Sequence, residues 1–208
     1  MSTAAGQTAL LAIDLQRAFC DGQGSMARQG RDIEPLRVAA GNADDLAKRA
    51  RQAGITVIWT RMMFASDYSD GGQLAATIRP NLVKAGALRR GSGDEAFSAL
   101  AHPEPEDIVI DKPRFSAWIG TSLEVVLRSG GYKRIIVCGV TTPMCVESTV
   151  RDLGQRDYET FVVEDACADF ETGRHEASIA AMEFGFATII DSARAMTLFD
   201  GAGHDRRH

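Results

Sequence analysis

Six short apolar runs alternate with segments of helical periodicity along the 208-residue chain. The runs are rich in β-branched residues and poor in polar ones, which is typical of parallel strands that are covered on both faces. Strands are predicted at 9–15, 55–61, 107–112, 134–140, 160–166 and 187–191. Apolar spacing of three and four residues predicts helices between them, at 36–50, 122–131, 144–156 and 173–184. This alternation predicts the α/β class, as a three-layer α/β/α sandwich around a six-stranded parallel sheet of Rossmann-like type.

Length and composition fit one domain over residues 1–208. No internal repeat, linker or low-complexity segment divides the chain, and 45% hydrophobic residues suffice for a full core. The core is predicted over about residues 8–195, with a flexible tail at 201–208. Residues 62–106 are interrupted by Gly and Pro, which predicts irregular structure with two short helices.

Charge and cysteine spacing restrict the possible partners. The net charge of -5 argues against nucleic acid and anionic membranes as partners. Neither an apolar run of transmembrane length nor a signal peptide is present, so the expected location is the cytoplasm. The four cysteines have no CxxC spacing, which disfavours a zinc site and a disulfide framework.

Three reactive side chains follow the ends of predicted strands. Asp14 ends the first strand, Lys112 ends the third, and Cys145 follows the fourth after a short turn. Ligands of parallel α/β sheets bind outside the carboxyl ends of the strands, so these residues are expected at one edge. A carboxylate, an ammonium group and a thiol in one place would form a nucleophilic site.

Cys145 stands where a strand passes into a helix. Unpaired N–H groups and the dipole of a helix N-terminus favour an anion, and a nearby lysine adds to this effect. The sequence therefore predicts an ionised thiol, with the same backbone amides available to hold an oxyanion. Alone, each residue has a simpler interpretation: Cys145 as core, Asp14 as a cap and Lys112 as a solvated strand end. Their shared edge favours a site.

Three motifs resemble the isochorismatase-like hydrolase superfamily, in its cysteine hydrolase branch. They are AIDLQRAF around Asp14, DKPRFSAW around Lys112 and GVTTPMCVESTVRD around Cys145. The branch includes nicotinamidases, N-carbamoylsarcosine amidases, ureidoacrylate amidases and biuret hydrolases. The resemblance covers about residues 8–195 and implies the isochorismatase-like hydrolase fold.

The resemblance implies a cysteine-dependent amidohydrolase that cleaves a C–N bond of a small amide, carbamoyl or ureide substrate. Asp14 would act as the general base, Lys112 would hold and polarise the pair, and Cys145 would form an acyl-enzyme. A cis peptide bond is implied between Val140 and Thr141, with the N–H groups of Thr141 and Cys145 as the oxyanion hole. The resemblance also implies a homodimer or homotetramer.

Departures from the family pattern restrict the activity. Isochorismatases that act on a vinyl ether lack the cysteine that stands here as Cys145. Nicotinamidases carry an Asp-x-His metal pair after the second strand, whereas MMFASDYSDGGQ (62–73) contains no histidine. We therefore expect no metal and no cofactor, and nicotinamidase activity is disfavoured. The alternatives are an ether or ester hydrolase and a non-catalytic member of the fold. A nucleotide-binding redox protein would need a G-x-G-x-x-G turn, which the segment after the first strand lacks.

Three further residues are candidate substrate contacts. Phe19 follows the first strand and Trp118 follows Lys112, so each is a candidate apolar wall. Arg61 ends the second strand and would bind a carboxylate or carbonyl. The competing interpretations are a core or subunit contact for Trp118 and a salt bridge for Arg61. Gln16 is expected to have a structural role.

Overall fold

The computed structural model describes the backbone of residues 7–204 and the side chains of residues 7–201. It contains six strands, β1 (Thr8–Ile13), β2 (Thr56–Met62), β3 (Ile108–Lys112), β4 (Arg134–Val140), β5 (Glu159–Ala168) and β6 (Thr188–Ile190). Every pairing is parallel, and the strand order is β3-β2-β1-β4-β5-β6. The predicted fold class is confirmed, and each predicted strand matches an observed one.

The helices are α1 (Arg17–Cys20), α2 (Ser25–Arg28), α3 (Glu34–Gln52), α4 (Pro80–Lys84), α5 (Leu123–Ser129), α6 (Glu147–Gly154), α7 (Thr172–Gly185) and α8 (Ser192–His204). Two π-helical segments add to them, Leu74–Ile78 and Thr142–Val146. Helix α3 packs on strands of both halves of the sheet, and α6 and α7 pack on each other and on β5. Within the described residues, no helix is both long and apolar enough to cross a membrane.

The C-terminal region differs from the sequence prediction. Helix α8 packs on α3 and β5, and its residue Phe199 is fully buried, so the core extends past residue 195. The helix continues to His204, so the first half of the predicted tail at 201–208 is helical. The other residues of that tail lie outside the described residues. The segment SARAMTLFDGAGH (192–204) is rich in small residues, so its apolar face does not stand out in the hydrophobic spacing. The sequence therefore did not predict this helix.

The direction of chain progression reverses between β1 and β4. From β1 the chain moves outward to β2, whereas from β4 it moves the other way to β5. Both central strands are almost completely buried. Crevices at such a reversal point, beyond the carboxyl ends of the strands, are the usual ligand sites of open α/β sheets. Asp14 follows β1 and Thr141 follows β4, so the fold brings both segments to this crevice.

Gly139 allows β4 to approach β1 closely just before that crevice. Its φ of 123° is a value that residues with a side chain rarely adopt. A Cβ atom at this position would lie 2.1 Å from the carbonyl oxygen of Ile13, the residue before Asp14. Any side chain here would therefore push apart the two strands that carry Asp14 and Cys145.

Gly139→Ala is therefore expected to lower the free energy of unfolding by about 2–3 kcal/mol, because it adds backbone strain and a backbone clash. Gly173→Ala is the matched control, since a Cβ at Gly173 in α7 meets no atom within 4 Å. Urea denaturation followed by circular dichroism measures both. Equal stability of the two variants would contradict the close-approach role of Gly139.

Candidate active site

Asp14 lies directly after β1 in the left-handed backbone region, with φ of 54°. Aspartate is one of the few residues with a side chain that tolerate this region. Its Oδ1 accepts a hydrogen bond of 2.6 Å from Thr60 Oγ1 on β2. Its Oδ2 lies 2.7 Å from Lys112 Nζ, and both side chains are fully buried. Within residues 7–201, Oδ2 receives no well-directed hydrogen bond, so it keeps an acceptor position free.

Lys112 is the last residue of β3, and its side-chain amine is buried next to Asp14. Its Nζ donates to the carbonyl oxygens of Arg114 at 3.0 Å and Phe115 at 2.9 Å. Burial by itself would lower the pKa of this amine. The negative charge of Asp14 opposes this effect, and the pKa of Lys112 is raised. Lys112 is therefore a fixed ammonium group whose donors are directed by two carbonyls and one carboxylate.

Cys145 lies on the π-helical segment Thr142–Val146, which leads into α6. Its carbonyl oxygen accepts a hydrogen bond of 2.7 Å from Thr149 Oγ1, and Thr149 Oγ1 in turn accepts one of 2.9 Å from the Ala117 N–H. These bonds hold the turn against the loop that follows β3. Asp14 and Lys112 both lie near enough to shift the pKa of the thiol. The structure therefore brings together all three residues that the sequence predicted at one edge.

The protonation state of Cys145 differs from the prediction. Burial raises the pKa of the thiol; Lys112 opposes this effect only in part, and Asp14 adds to it. Without a bound ligand the sulfur is therefore a neutral thiol at neutral pH, beside a carboxylate and an ammonium group. Loss of hydration outweighs the helix dipole, because the residue is only 3% exposed.

The segment before Cys145 has a distinctive backbone. The Val140–Thr141 peptide bond is cis, and Thr141 then adopts an extended conformation at the start of the π-helical segment. Both Thr141 and Cys145 line a cavity at the reversal point of the sheet. The two residues predicted for the oxyanion hole therefore face the same space as the sulfur.

This cavity, which we call the Cys145 cavity, has a volume of about 300 Å³. Three aromatic residues line it, Phe19, Phe115 and Phe170, together with several aliphatic side chains. Its charged lining residues are three arginines and one aspartate, namely Arg31, Arg79, Arg174 and Asp169. A cavity of this size and lining fits a small molecule that has both apolar and polar groups.

Of the three predicted substrate contacts, only Phe19 lines the Cys145 cavity. Arg61 instead lies beside Asp111, its cross-strand neighbour on β3, with Nε and Oδ1 2.8 Å apart. Side chains alternate between the faces of a strand, so the next residue, Met62, reaches the cavity and Arg61 does not. Arg61 therefore forms a salt bridge with Asp111 and is not a substrate contact in this cavity.

Trp118 is also placed differently from the prediction. Its ring packs 6.0 Å from Tyr158, and the guanidinium of Arg156 covers it at 4.4 Å. The corresponding aromatic wall comes from Phe115, whose carbonyl also binds Lys112. The sequence motif DKPRFSAW contained both aromatic residues, and only the path of the loop distinguishes them.

Gln16 has the structural role that was expected. Its amide donates to the carbonyl oxygens of Met62 at 2.9 Å and Glu95 at 2.8 Å, and its oxygen accepts from the Met62 N–H at 2.8 Å. The side chain is fully buried and joins the end of β2 to the loop around Glu95. It thereby fixes the segment that carries Met62 into the cavity wall.

No group of three or more His, Cys, Asp or Glu side chains in the described part of the chain is arranged to hold a metal ion. The charged groups around Cys145 are Asp14 and Lys112, which neutralise each other. The chemistry that these residues can perform themselves is proton transfer between thiol and carboxylate, followed by attack of the sulfur on an electrophilic carbon.

Comparison with known proteins identifies relatives of this arrangement. The isochorismatase domain model matches residues 8–194. A ureidoacrylate amidohydrolase from Azorhizobium caulinodans is 31% identical over 180 residues, which cover 80% of this chain and 78% of the relative. A crystal structure of a cysteine hydrolase from Pseudomonas syringae pv. phaseolicola superposes with a TM-score of 0.87 at 25% identity, covering 95% of this chain and 94% of the other.

A third relative shares the fold at lower identity. The crystal structure of N-carbamoylsarcosine amidase from Thermoplasma acidophilum has a TM-score of 0.72 and 22% identity, with 89% of this chain and 96% of the other covered. The chain belongs to the isochorismatase family, in its cysteine hydrolase branch.

Proposed function

We propose that this chain is a cysteine amidohydrolase that cleaves a carbon–nitrogen bond, other than a peptide bond, in a small amide, carbamoyl or ureide compound. The observation that carries the proposal is the buried cluster of Asp14, Lys112 and Cys145, of which Cys145 lines the cavity. The names of two relatives, a ureidoacrylate amidohydrolase and an N-carbamoylsarcosine amidase, support the same bond type.

In the first step, Asp14 Oδ2 takes the proton of the Cys145 thiol as the sulfur attacks the substrate carbonyl carbon. Oδ2 pairs with the Lys112 ammonium and takes no other hydrogen bond among the described residues, so it can still accept the proton of a neutral thiol. A carbon–sulfur bond forms, and the carbonyl electrons move onto the oxygen. Lys112 keeps the carboxylate in place and compensates the charge of the forming thiolate.

The oxyanion would be stabilised by the backbone N–H groups of Thr141 and Cys145. Both residues line the cavity, and both lie in the turn that carries the sulfur. Fixed backbone donors are effective because they need no reorganisation when the charge develops, and one such donor typically contributes about 3 kcal/mol.

Collapse of the intermediate breaks the carbon–nitrogen bond. The leaving nitrogen takes the proton that Asp14 holds, so ammonia or an amine departs and a thioester remains on Cys145. Water then attacks the thioester while Asp14 accepts its proton. When the carbon–sulfur bond breaks, that proton returns to the sulfur, and the resting thiol is restored.

The test is a screen for ammonia release over primary amides, carbamoyl amino acids, ureidoacrylate, biuret and nicotinamide. We expect turnover of at least one carbamoyl or ureido compound and no turnover of nicotinamide. Hydrolysis of ester or vinyl ether substrates without release of any nitrogen would instead favour the alternative reaction class. A protein that turns over none of these compounds would fit the non-catalytic alternative.

Association into a homodimer or homotetramer in the cytoplasm is part of this proposal. Phe184 on α7 is 93% exposed and Val125 on α5 is 68% exposed, which supports a subunit contact. All four cysteines are free thiols, which suits a reducing compartment. Sedimentation velocity measures the oligomeric state, and a monomer at micromolar concentration would contradict the association.

A further inference from the structure

We propose that Arg79 binds a carboxylate group of the substrate, at the end away from the scissile carbon–nitrogen bond. This inference rests on the proposed function, since it names a class of carbamoyl or ureido substrate for the same cavity. Arg79 lies in the irregular region 62–106, where the sequence indicated no functional residue.

Arg79 belongs to a continuous wall of the Cys145 cavity. It joins the π-helical segment Leu74–Ile78 to α4, and five consecutive residues from Ile78 to Leu82 all line the cavity. The wall consists of Ile78, Pro80, Asn81 and Leu82 besides the arginine. Arg79 is itself solvent-exposed, so a ligand that enters the cavity from solvent can reach its guanidinium.

The guanidinium lies beside the side chain of Met144. One of its terminal nitrogens lies 3.5 Å from the sulfur of Met144, the residue next to Cys145. Both Met144 and Cys145 line the cavity. A thioether is a weak acceptor, and a guanidinium carries five donors in a fork that matches a carboxylate. The donors of Arg79 therefore face the same cavity as Cys145 and have no strong partner in the Met144 sulfur.

The other two arginines of the cavity already have carboxylate partners. Arg174 lies 2.7 Å from Asp169 and 2.7 Å from Glu171, and Arg31 lies 3.7 Å from Glu171. Within residues 7–201, no carboxylate lies within ion-pair distance of Arg79. The single aspartate of the cavity lining is the one bound to Arg174. Among the three arginines of the cavity lining, Arg79 is therefore the one whose charge is available to bind an anionic ligand.

The arrangement of charges follows from this. The pair of Asp14 and Lys112 behind the sulfur is neutral, so it neither attracts nor repels an anion. A substrate carboxylate would find its positive partner in Arg79, while its carbonyl would face Cys145 in the same cavity. The cavity volume of about 300 Å³ restricts such a substrate to a compact molecule.

The first experiment compares two substrates that differ only in charge, 3-ureidoacrylate and its methyl ester. For Arg79→Gln we expect kcat/KM to fall by about 10- to 100-fold for the acid, through KM, and by less than about threefold for the ester. Arg79→Lys should recover part of the loss for the acid. Lys84→Gln is the matched control, because it removes an exposed positive charge from α4 outside the cavity lining.

An equal loss for acid and ester in Arg79→Gln, or an equal loss in Lys84→Gln, would overturn the role of Arg79 and leave the proposed function standing. A second measurement tests the role of Arg79 by binding alone, without relying on turnover. In the Cys145→Ala background, calorimetry compares binding of 3-ureidopropionate with that of n-propylurea, which lacks the carboxylate. Weaker binding of the acid alone on Arg79→Gln supports the proposal even if no turnover is found. If Cys145→Ala with Arg79 intact binds 3-ureidopropionate and n-propylurea with equal affinity, the role of Arg79 is overturned.

Discussion

Replacing Cys145 with alanine is expected to lower the rate of amide hydrolysis on the order of 10⁶-fold, the size of effect that loss of a covalent nucleophile produces. The reason is that Cys145 supplies the one thiol among the described residues that line the cavity. The sulfur is buried, and the smaller side chain leaves a small void, so we expect the fold to survive with a loss of about 1 kcal/mol. Steady-state kinetics on a substrate from the screen measures the rate, and circular dichroism checks the fold.

Cys167→Ala is the matched control for this variant. Cys167 is a free, buried thiol on β5 that does not line the cavity. Burial raises its pKa to about 12, so it is also a neutral thiol. The substitution is chemically identical and should leave kcat/KM within a few-fold of the unmodified protein. Activity of Cys145→Ala within tenfold of the unmodified protein would refute the nucleophile assignment.

Replacing Lys112 with methionine is expected to lower the free energy of unfolding by about 3–5 kcal/mol, because it leaves the Asp14 carboxylate buried without its counter-charge. Both side chains are fully buried, and after the change Asp14 keeps only the neutral hydroxyl of Thr60 as a hydrogen-bond donor among the described side chains. Adding Asp14→Asn to this variant removes the remaining charge and should restore part of the loss. Asparagine also tolerates the left-handed backbone at this position.

Urea denaturation at neutral pH measures these differences. The pKa of Lys112 is raised in the fold, so its stabilisation is complete below the unfolded pKa and is lost only as pH rises through the folded pKa. The exposed pair Arg128–Glu124 on α5 is the control, and Arg128→Met should cost about 0.5 kcal/mol or less. A double variant less stable than Lys112→Met alone would contradict the account of the buried pair.

Much of the fold follows from local sequence pattern. ALLAIDL and RIIVCGV are apolar on both strand faces, and they become the two central strands, which only a parallel sheet covered on both sides can bury. Asp14, Lys112 and Cys145 could be grouped because parallel strands end at a common edge, so no knowledge of loop paths was needed.

The parts that were missed depend on long-range packing. Arg61 and Met62 differ by one position on β2, and only the pairing with β3 decides which of them faces the cavity. Phe115 and Trp118 share one loop, whose path is set by bonds to Lys112 and Thr149. The neutral state of the Cys145 thiol follows from how deeply it is buried, which a motif does not encode.

The most direct test of the central claim is the mass of the enzyme caught during turnover. The protein is mixed with a turned-over substrate, quenched in acid and digested with trypsin, which releases the peptide of residues 135–151 containing Cys138 and Cys145. We predict an added acyl mass that fragmentation assigns to Cys145. Sustained turnover with no adduct on Cys145, or with the adduct on Cys138, would contradict the account.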